Sequence, residues 1–217
     1  MLAMKPNGLI MFDFDGVIVD SLDFSHECSR IAMEMDSITP EYFRSLFHGN
    51  VFEHPAVSGQ LKVKAKPSKD DVFYKNYIPI LMERAPITAM LDVLDSASKI
   101  HPIVMISSTV NEPLRDYVKR YDIAHHFQMI MGGDTHTSKV VKIQMAKELY
   151  GVDDQDCLFV TDTLGDIREA TKAGVQSIAV TWGFHLREDL EQGSPLAIVE
   201  TPEQLKAEIN KFYDSRI

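Results

Sequence analysis

Cysteine is scarce in this chain of 217 residues: Cys28 and Cys157 stand far apart and without CxxC spacing. That excludes a disulfide framework and a zinc knuckle, and it suits a reducing compartment. Long apolar runs are missing too. The opening MLAMKPNGLIMFDFDG is broken at Asp13, too short for a signal peptide or a transmembrane span, so its apolar part reads as a buried strand and the expected location is the cytoplasm. No low-complexity stretch or internal repeat interrupts a composition of 45% hydrophobic and 25% charged residues, the balance of an ordinary globular protein. Positive charge is in deficit, with 22 Lys plus Arg against 32 Asp plus Glu and a formal charge of -10. A surface of that sign repels nucleic acid and anionic membranes, so neither is an expected partner. An anionic substrate would need a local positive site: a metal ion, a lysine or a helix N-terminus.

What is present is an alternation of short elements. Leu9–Phe12, Ile103–Ile106, Met129–Met131, Leu158–Val160 and Ser177–Val180 are continuous apolar runs of the kind buried on both faces of a parallel sheet. Helical patterns lie between them. Val141, Met145 and Leu149 recur at i, i+4, i+8 up to a stop at Gly151, and Leu114, Tyr117, Val118 and Tyr121 form a second face. Thr201-Pro202-Glu203-Gln204 is a capping box opening a terminal helix with Leu205, Ile209 and Phe212 on one side. The fold class is therefore α/β, a doubly wound parallel sheet with ligands bound beyond the carboxyl ends of its strands. Residues 21–84 break the alternation and read as an inserted helical cap, with Val72, Phe73, Tyr77, Ile80 and Leu81 on one stripe, whereas 1–20 and 85–217 form the core domain. Within the cap, His48 to Pro67 is loop-rich and carries a Lys62/Lys64/Lys66 alternation that reads as a solvated face.

The strand ends carry the chemical signal. Asp13-Phe14-Asp15-Gly16 follows the first strand, Ser107-Ser108-Thr109 the second, and Thr161-Asp162-Thr163-Leu164-Gly165-Asp166 the fourth, with Lys139 at the start of the preceding helix. A parallel sheet gathers these at one edge. Clustered carboxylates raise one another's pKa unless a hard divalent cation with oxygen ligands relieves them, which points to Mg²⁺. Metal and lysine together would then admit a phosphate despite the overall charge. His125-His126 and Asp134/His136 lack ligand spacing and are assigned no role, and Trp182 reads as packing.

In order and spacing, DFDGVIVDS, the strand ending in Ser107, Lys139 and VTDTLGD resemble the four motifs of the haloacid dehalogenase (HAD) superfamily, in its phosphoglycolate phosphatase-like branch with a helical cap. The resemblance implies a phosphoric monoester hydrolase acting on a small phosphorylated metabolite. It makes Asp13 the nucleophile that forms an aspartyl-phosphate, Asp15 the general acid and base, Ser107 a hydrogen-bond donor to the phosphoryl group and Lys139 the neutralising charge. It gives Mg²⁺ to Asp13, the Asp15 main-chain carbonyl, Asp162 and Asp166, the last either a ligand or a partner of bound waters. Ser108, Asn111, His48 and Asn50 are candidate substrate contacts, with Asn111 equally suited to cap a helix. Two departures stand out: Thr161 replaces a usual glycine and its Cβ is expected to crowd the loop, and Lys142 could substitute for Lys139. A phosphosugar mutase on the same motifs, or a catalytically silent HAD-fold binding protein, is the alternative function, and the chain is expected to be a monomer or homodimer.

Overall fold

The computed structural model describes residues 8–58 and 66–214. Lys62 and Lys64 lie outside them. The chain opens with β1 (Leu9–Phe12), followed by α1 (Leu22–Ala32), α2 (Pro40–Ser45), α3 (Pro55–Ser58), α4 (Val72–Glu83) and α5 (Thr88–Ser98). Then come β2 (Ile103–Ile106), α6 (Asn111–Arg120), β3 (Phe127–Met131), α7 (Lys139–Tyr150), β4 (Cys157–Thr161), α8 (Leu164–Lys172), β5 (Gln176–Val180), α9 (Arg187–Glu191), β6 (Ala197–Val199) and α10 (Pro202–Asp214). No helix among the described residues is long and apolar enough to cross a membrane.

The six strands form one parallel sheet in the order β3-β2-β1-β4-β5-β6, so β1 and β4 flank the point where the winding reverses. Such a switch point opens a crevice beyond the strand ends. Every residue of β1, β2 and β4 is buried, because helices cover both faces. Ile10, Phe12, Met105 and Val160 turn to the side of α5, α6 and α10, whereas Leu9, Met11, Val104 and Phe159 turn to α7 and α8. β6 was not legible in the sequence: three residues at a sheet edge are too few to show a period. At α10 Thr201 Oγ1 caps the helix by accepting from Gln204 N (3.3 Å), but the returning Gln204 side chain accepts from Glu200 N (2.8 Å), one residue before the cap, so the capping box closes only on one side.

Two helices present a different face from the one the apolar spacing selects. On α7, Val141, Met145 and Leu149 are exposed, and the inward face carries Lys139, Lys142, Ile143, Ala146 and Lys147. Each buried lysine has oxygen partners inside, which is what makes burying an ammonium tolerable; Lys147 Nζ, for example, donates to Ala173 O at 2.9 Å. Gly151 closes the helix at φ 62°, its N–H bonded to Lys147 O at 2.8 Å. On α4, Val72 and Ile80 are exposed, while Tyr74, Tyr77 and Leu81 are buried. The two tyrosines reach oxygens of the core, a use for a cap residue that hydrophobicity alone does not signal.

The helical cap is tied to the core by polar contacts. Phe47 O accepts from Gly165 N (2.9 Å), Phe184 O from Arg44 Nε (2.8 Å) and His48 O from Arg168 (2.6 Å). Gly165 allows the first approach, since a Cβ there would run into the backbone of Phe47 and Gly49.

Candidate active site

Asp13 is the first residue beyond β1, and its N–H continues the ladder to Val160 O at 2.9 Å, which places its side chain at the switch point. One carboxylate oxygen accepts from the Phe14 N–H (2.7 Å) and the other from Lys139 Nζ (2.7 Å). The same ammonium donates to Asp166 Oδ2 at 2.6 Å. Thr161 does not crowd this loop: its hydroxyl donates to Asp166 Oδ2 at 2.7 Å, so the methyl-bearing side chain supplies a bond that glycine could not. Lys139 itself is aimed by the main chain, because the carboxylate of Glu169 on α8 accepts from the Lys139 N–H (2.9 Å) and the Ser138 hydroxyl (3.0 Å).

Asp162, one residue past β4, is fully buried. Its Oδ2 accepts from Phe184 N at 2.7 Å, and Oδ1 is the one buried side-chain polar atom among the described residues without a hydrogen-bond partner. Gly16, at φ 70°, and Gly183 both lie against this carboxylate, where any Cβ would collide with it. Asp13, Asp162 and Asp166 each bring one oxygen within 4.8 Å of the others.

The electrostatics follow from one ammonium among three buried acids. Burial raises the Asp13 carboxyl well above its ordinary value, with Asp166 and Asp162 adding repulsion against the pull of Lys139. Burial pushes Asp162 up to about 7. Burial also opposes ionisation of Asp166, but Lys139 and the hydrogen bonds around it outweigh that and hold its pKa down. Lys139 is disfavoured by burial yet raised overall by Asp13 and Asp166. Ionisation of Asp13 and Asp162 is therefore disfavoured chiefly by burial, and Asp162 keeps an oxygen without a partner. A hard divalent cation fits this donor set, being the species that satisfies clustered oxygens at such spacing.

Asp15 stands apart from that cluster. Its Oδ1 accepts from Ser21 Oγ (2.7 Å) and from the Tyr77 hydroxyl, and Oδ2 accepts from Thr109 Oγ1 (2.9 Å). Burial raises its pKa against the opposing effect of these three donors. Ser107 is fully buried; its hydroxyl oxygen accepts from Thr109 N (2.9 Å), and Ser108 and Thr109 reach the cavity wall. Lys142 lies behind this turn, donating to Ser107 O at 2.6 Å, with burial and the nearby Lys139 lowering its pKa to about 7. Of the two lysines, Lys139 meets the carboxylates and Lys142 props the strand end.

The remaining substrate candidates divide. Asn50 lies on the cavity wall and donates to Thr137 O (3.0 Å) and Glu169 Oε1 (3.2 Å), linking cap to core. His48 is off the wall, its ring 5.2 Å from that of His185. Asn111 is off it as well: its amide donates to Asp134 (2.7 Å) and Thr135 (2.8 Å) and its carbonyl accepts from Gly132 N (2.9 Å), while Val110 takes the cap position of α6. It fastens two loops rather than facing a ligand.

Sequence reasoning missed Ser21, Tyr77, Thr109, Glu169 and His185. Glu169 had a signal, since it follows Asp166 by one helical turn. His185 did not: it sits in an irregular segment, buried, accepting from Leu164 N at 2.8 Å and contacting Arg44 O at 2.9 Å, which fixes the start of α8.

A family model described as haloacid dehalogenase-like hydrolase matches residues 10–180. Among curated proteins, a phosphoglycolate phosphatase of Pseudomonas putida is 25% identical over 88% of this chain and 76% of its own length. One from Vibrio vulnificus is 22% identical, covering 91% of this chain and 93% of its own. A haloacid dehalogenase-like hydrolase from Streptococcus pneumoniae superposes with a TM-score of 0.73 at 23% identity, covering 93% of this chain and 98% of that one. The family model spans the strand ends that carry Asp13, Ser107 and Asp162, and the chain belongs to the haloacid dehalogenase-like hydrolases.

Proposed function

We propose that the protein is a Mg²⁺-dependent phosphatase that hydrolyses a small phosphomonoester through a covalent aspartyl-phosphate on Asp13. The observation that carries this reading is the pairing of Asp13 with Lys139 beside the partnerless Oδ1 of Asp162. A carboxylate is held still next to a fixed positive charge, within reach of a cation site. The names of the curated relatives, phosphoglycolate phosphatases, point the same way.

Asp13, Asp162 and the Asp15 main-chain carbonyl would hold the cation, with Asp166 orienting Lys139 or joining them. When bound, the cation neutralises charge on the phosphoryl oxygens. A carboxylate oxygen of Asp13 attacks phosphorus as the ester P–O bond breaks, Lys139 balances the charge, and the Ser108 N–H supports the phosphoryl oxygens, those of Ser107 and Thr109 being bound to Met131 O and Ser107 Oγ. Asp15 protonates the departing alkoxide, then takes a proton from the water that attacks the aspartyl-phosphate at phosphorus, releasing phosphate and restoring Asp13. Tyr77, Ser21 and Thr109 keep the Asp15 side chain turned out of the acid cluster, so the two aspartates separated by one residue occupy different environments, as two different roles require.

The expected outcome is release of inorganic phosphate from a panel of phosphomonoesters with Mg²⁺ present and its loss in EDTA. Release that is indifferent to EDTA sinks the metal reading, and no release from any ester sinks the phosphatase.

A further inference from the structure

The cavity above Asp13 has a volume of about 450 Å³, large for an alcohol of two or three carbons. Its cap side is walled by Met33, Leu46, Phe47, Phe52 and Phe73, which Phe184 of the core adjoins. Among the described residues, Lys139 is the one cationic side chain on the wall, and it is already engaged by Asp13 and Asp166 at the phosphoryl end. The other charged groups there are all acids: Asp70, Asp71 and Glu169 besides the four aspartates already described. Nearby cations are turned elsewhere: Arg44 Nε donates to Phe184 O, Lys69 pairs with Glu112 at 2.8 Å, and Lys66 Nζ reaches Thr135 O at 3.4 Å.

An anionic leaving group, such as the carboxylate of a phosphorylated hydroxy acid or a second phosphate, would enter this chamber with acids about it and, among the described residues, no free cation to receive it, a desolvation cost without return. An uncharged aromatic or branched apolar body would instead exchange water for aromatic and aliphatic walls. Resting on the phosphatase reading, we infer that the substrate is the monophosphate of an uncharged, apolar or aromatic alcohol, and that this chain discriminates against phosphoglycolate despite its relatives.

The test compares kcat/KM of the full-length, Mg²⁺-loaded enzyme for methyl, propyl, hexyl and 2-phenylethyl phosphates with that for phosphoglycolate and phosphocholine. The expected series rises about three- to fourfold per buried methylene, with 2-phenylethyl phosphate ahead of phosphoglycolate by at least about tenfold. A Phe52→Arg variant should narrow that gap by improving phosphoglycolate. Turnover that favours phosphoglycolate, or that is flat along the alkyl series, overturns the inference and leaves the phosphatase standing. Preference for phosphocholine also overturns it, by giving the acids of the wall the leading part. Failure with every ester overturns both readings. The wild-type series decides the matter even if Phe52→Arg does not fold.

Discussion

Asp13→Asn should lower the rate of phosphate release by at least about a thousandfold, as loss of a covalent nucleophile does elsewhere, while leaving the protein folded. The substitution is nearly isosteric. The asparagine oxygen can still accept from Phe14 N or Lys139, and Asp166 continues to hold the ammonium. Because burial disfavours the ionised Asp13, the neutral amide should cost little stability in the absence of metal. Steady-state phosphate assay and thermal melting of the same preparations check both halves. A variant that keeps more than about a tenth of the wild-type rate would remove Asp13 from the nucleophile's role.

The second large effect concerns the metal. In the metal-free protein Asp162 has its pKa raised by burial to about 7, well above that of an ordinary aspartate. The folded state therefore binds the proton more tightly than the unfolded chain. The stability associated with that proton is complete below the unfolded value and is lost as pH rises through about 7. A divalent cation replaces the proton, so the rise in Tm on adding Mg²⁺ should be larger near pH 8 than near pH 5.5. Asp162→Asn keeps an acceptor for Phe184 N but presents a neutral group to the cation. It should weaken Mg²⁺ binding by more than about a hundredfold, beyond what loss of an outer partner costs, and raise the metal-free Tm at pH 8. Calorimetric titration and melting with and without Mg²⁺ read these directly. A Tm shift that survives the substitution would place the cation elsewhere.

Much of the sheet was legible because strands buried on both faces write themselves as continuous apolar runs, and β1, β2, β4 and β5 are each such a run. Asp13, Ser107 and Asp162 were legible because each stands one position beyond a strand. Helix orientation was not. On α7 the inward face is chosen by polar partners, Asp13 and Asp166 for Lys139 and Ser107 O for Lys142, so the apolar residues that hydrophobic spacing favours were left outside. The same reason hid the Asp15 setting. Tyr77 reads as one more apolar residue on a cap helix, and only the docking of α4 onto the core brings its hydroxyl to that carboxylate. Asn111 misled in the opposite direction: a polar residue after a strand can face a ligand, but the neighbouring Gly132–Thr135 loop takes both its amide hydrogens and a bond to its carbonyl.

The covalent step is the centre of the account, and it can be observed directly. Metal-loaded enzyme mixed with excess substrate, quenched in acid during turnover and mapped by mass spectrometry, should carry a phosphoryl group on the peptide containing Asp13, and the Asp13→Asn protein should carry none. Phosphate release without any label on that peptide, or with the label on another residue, would contradict the account.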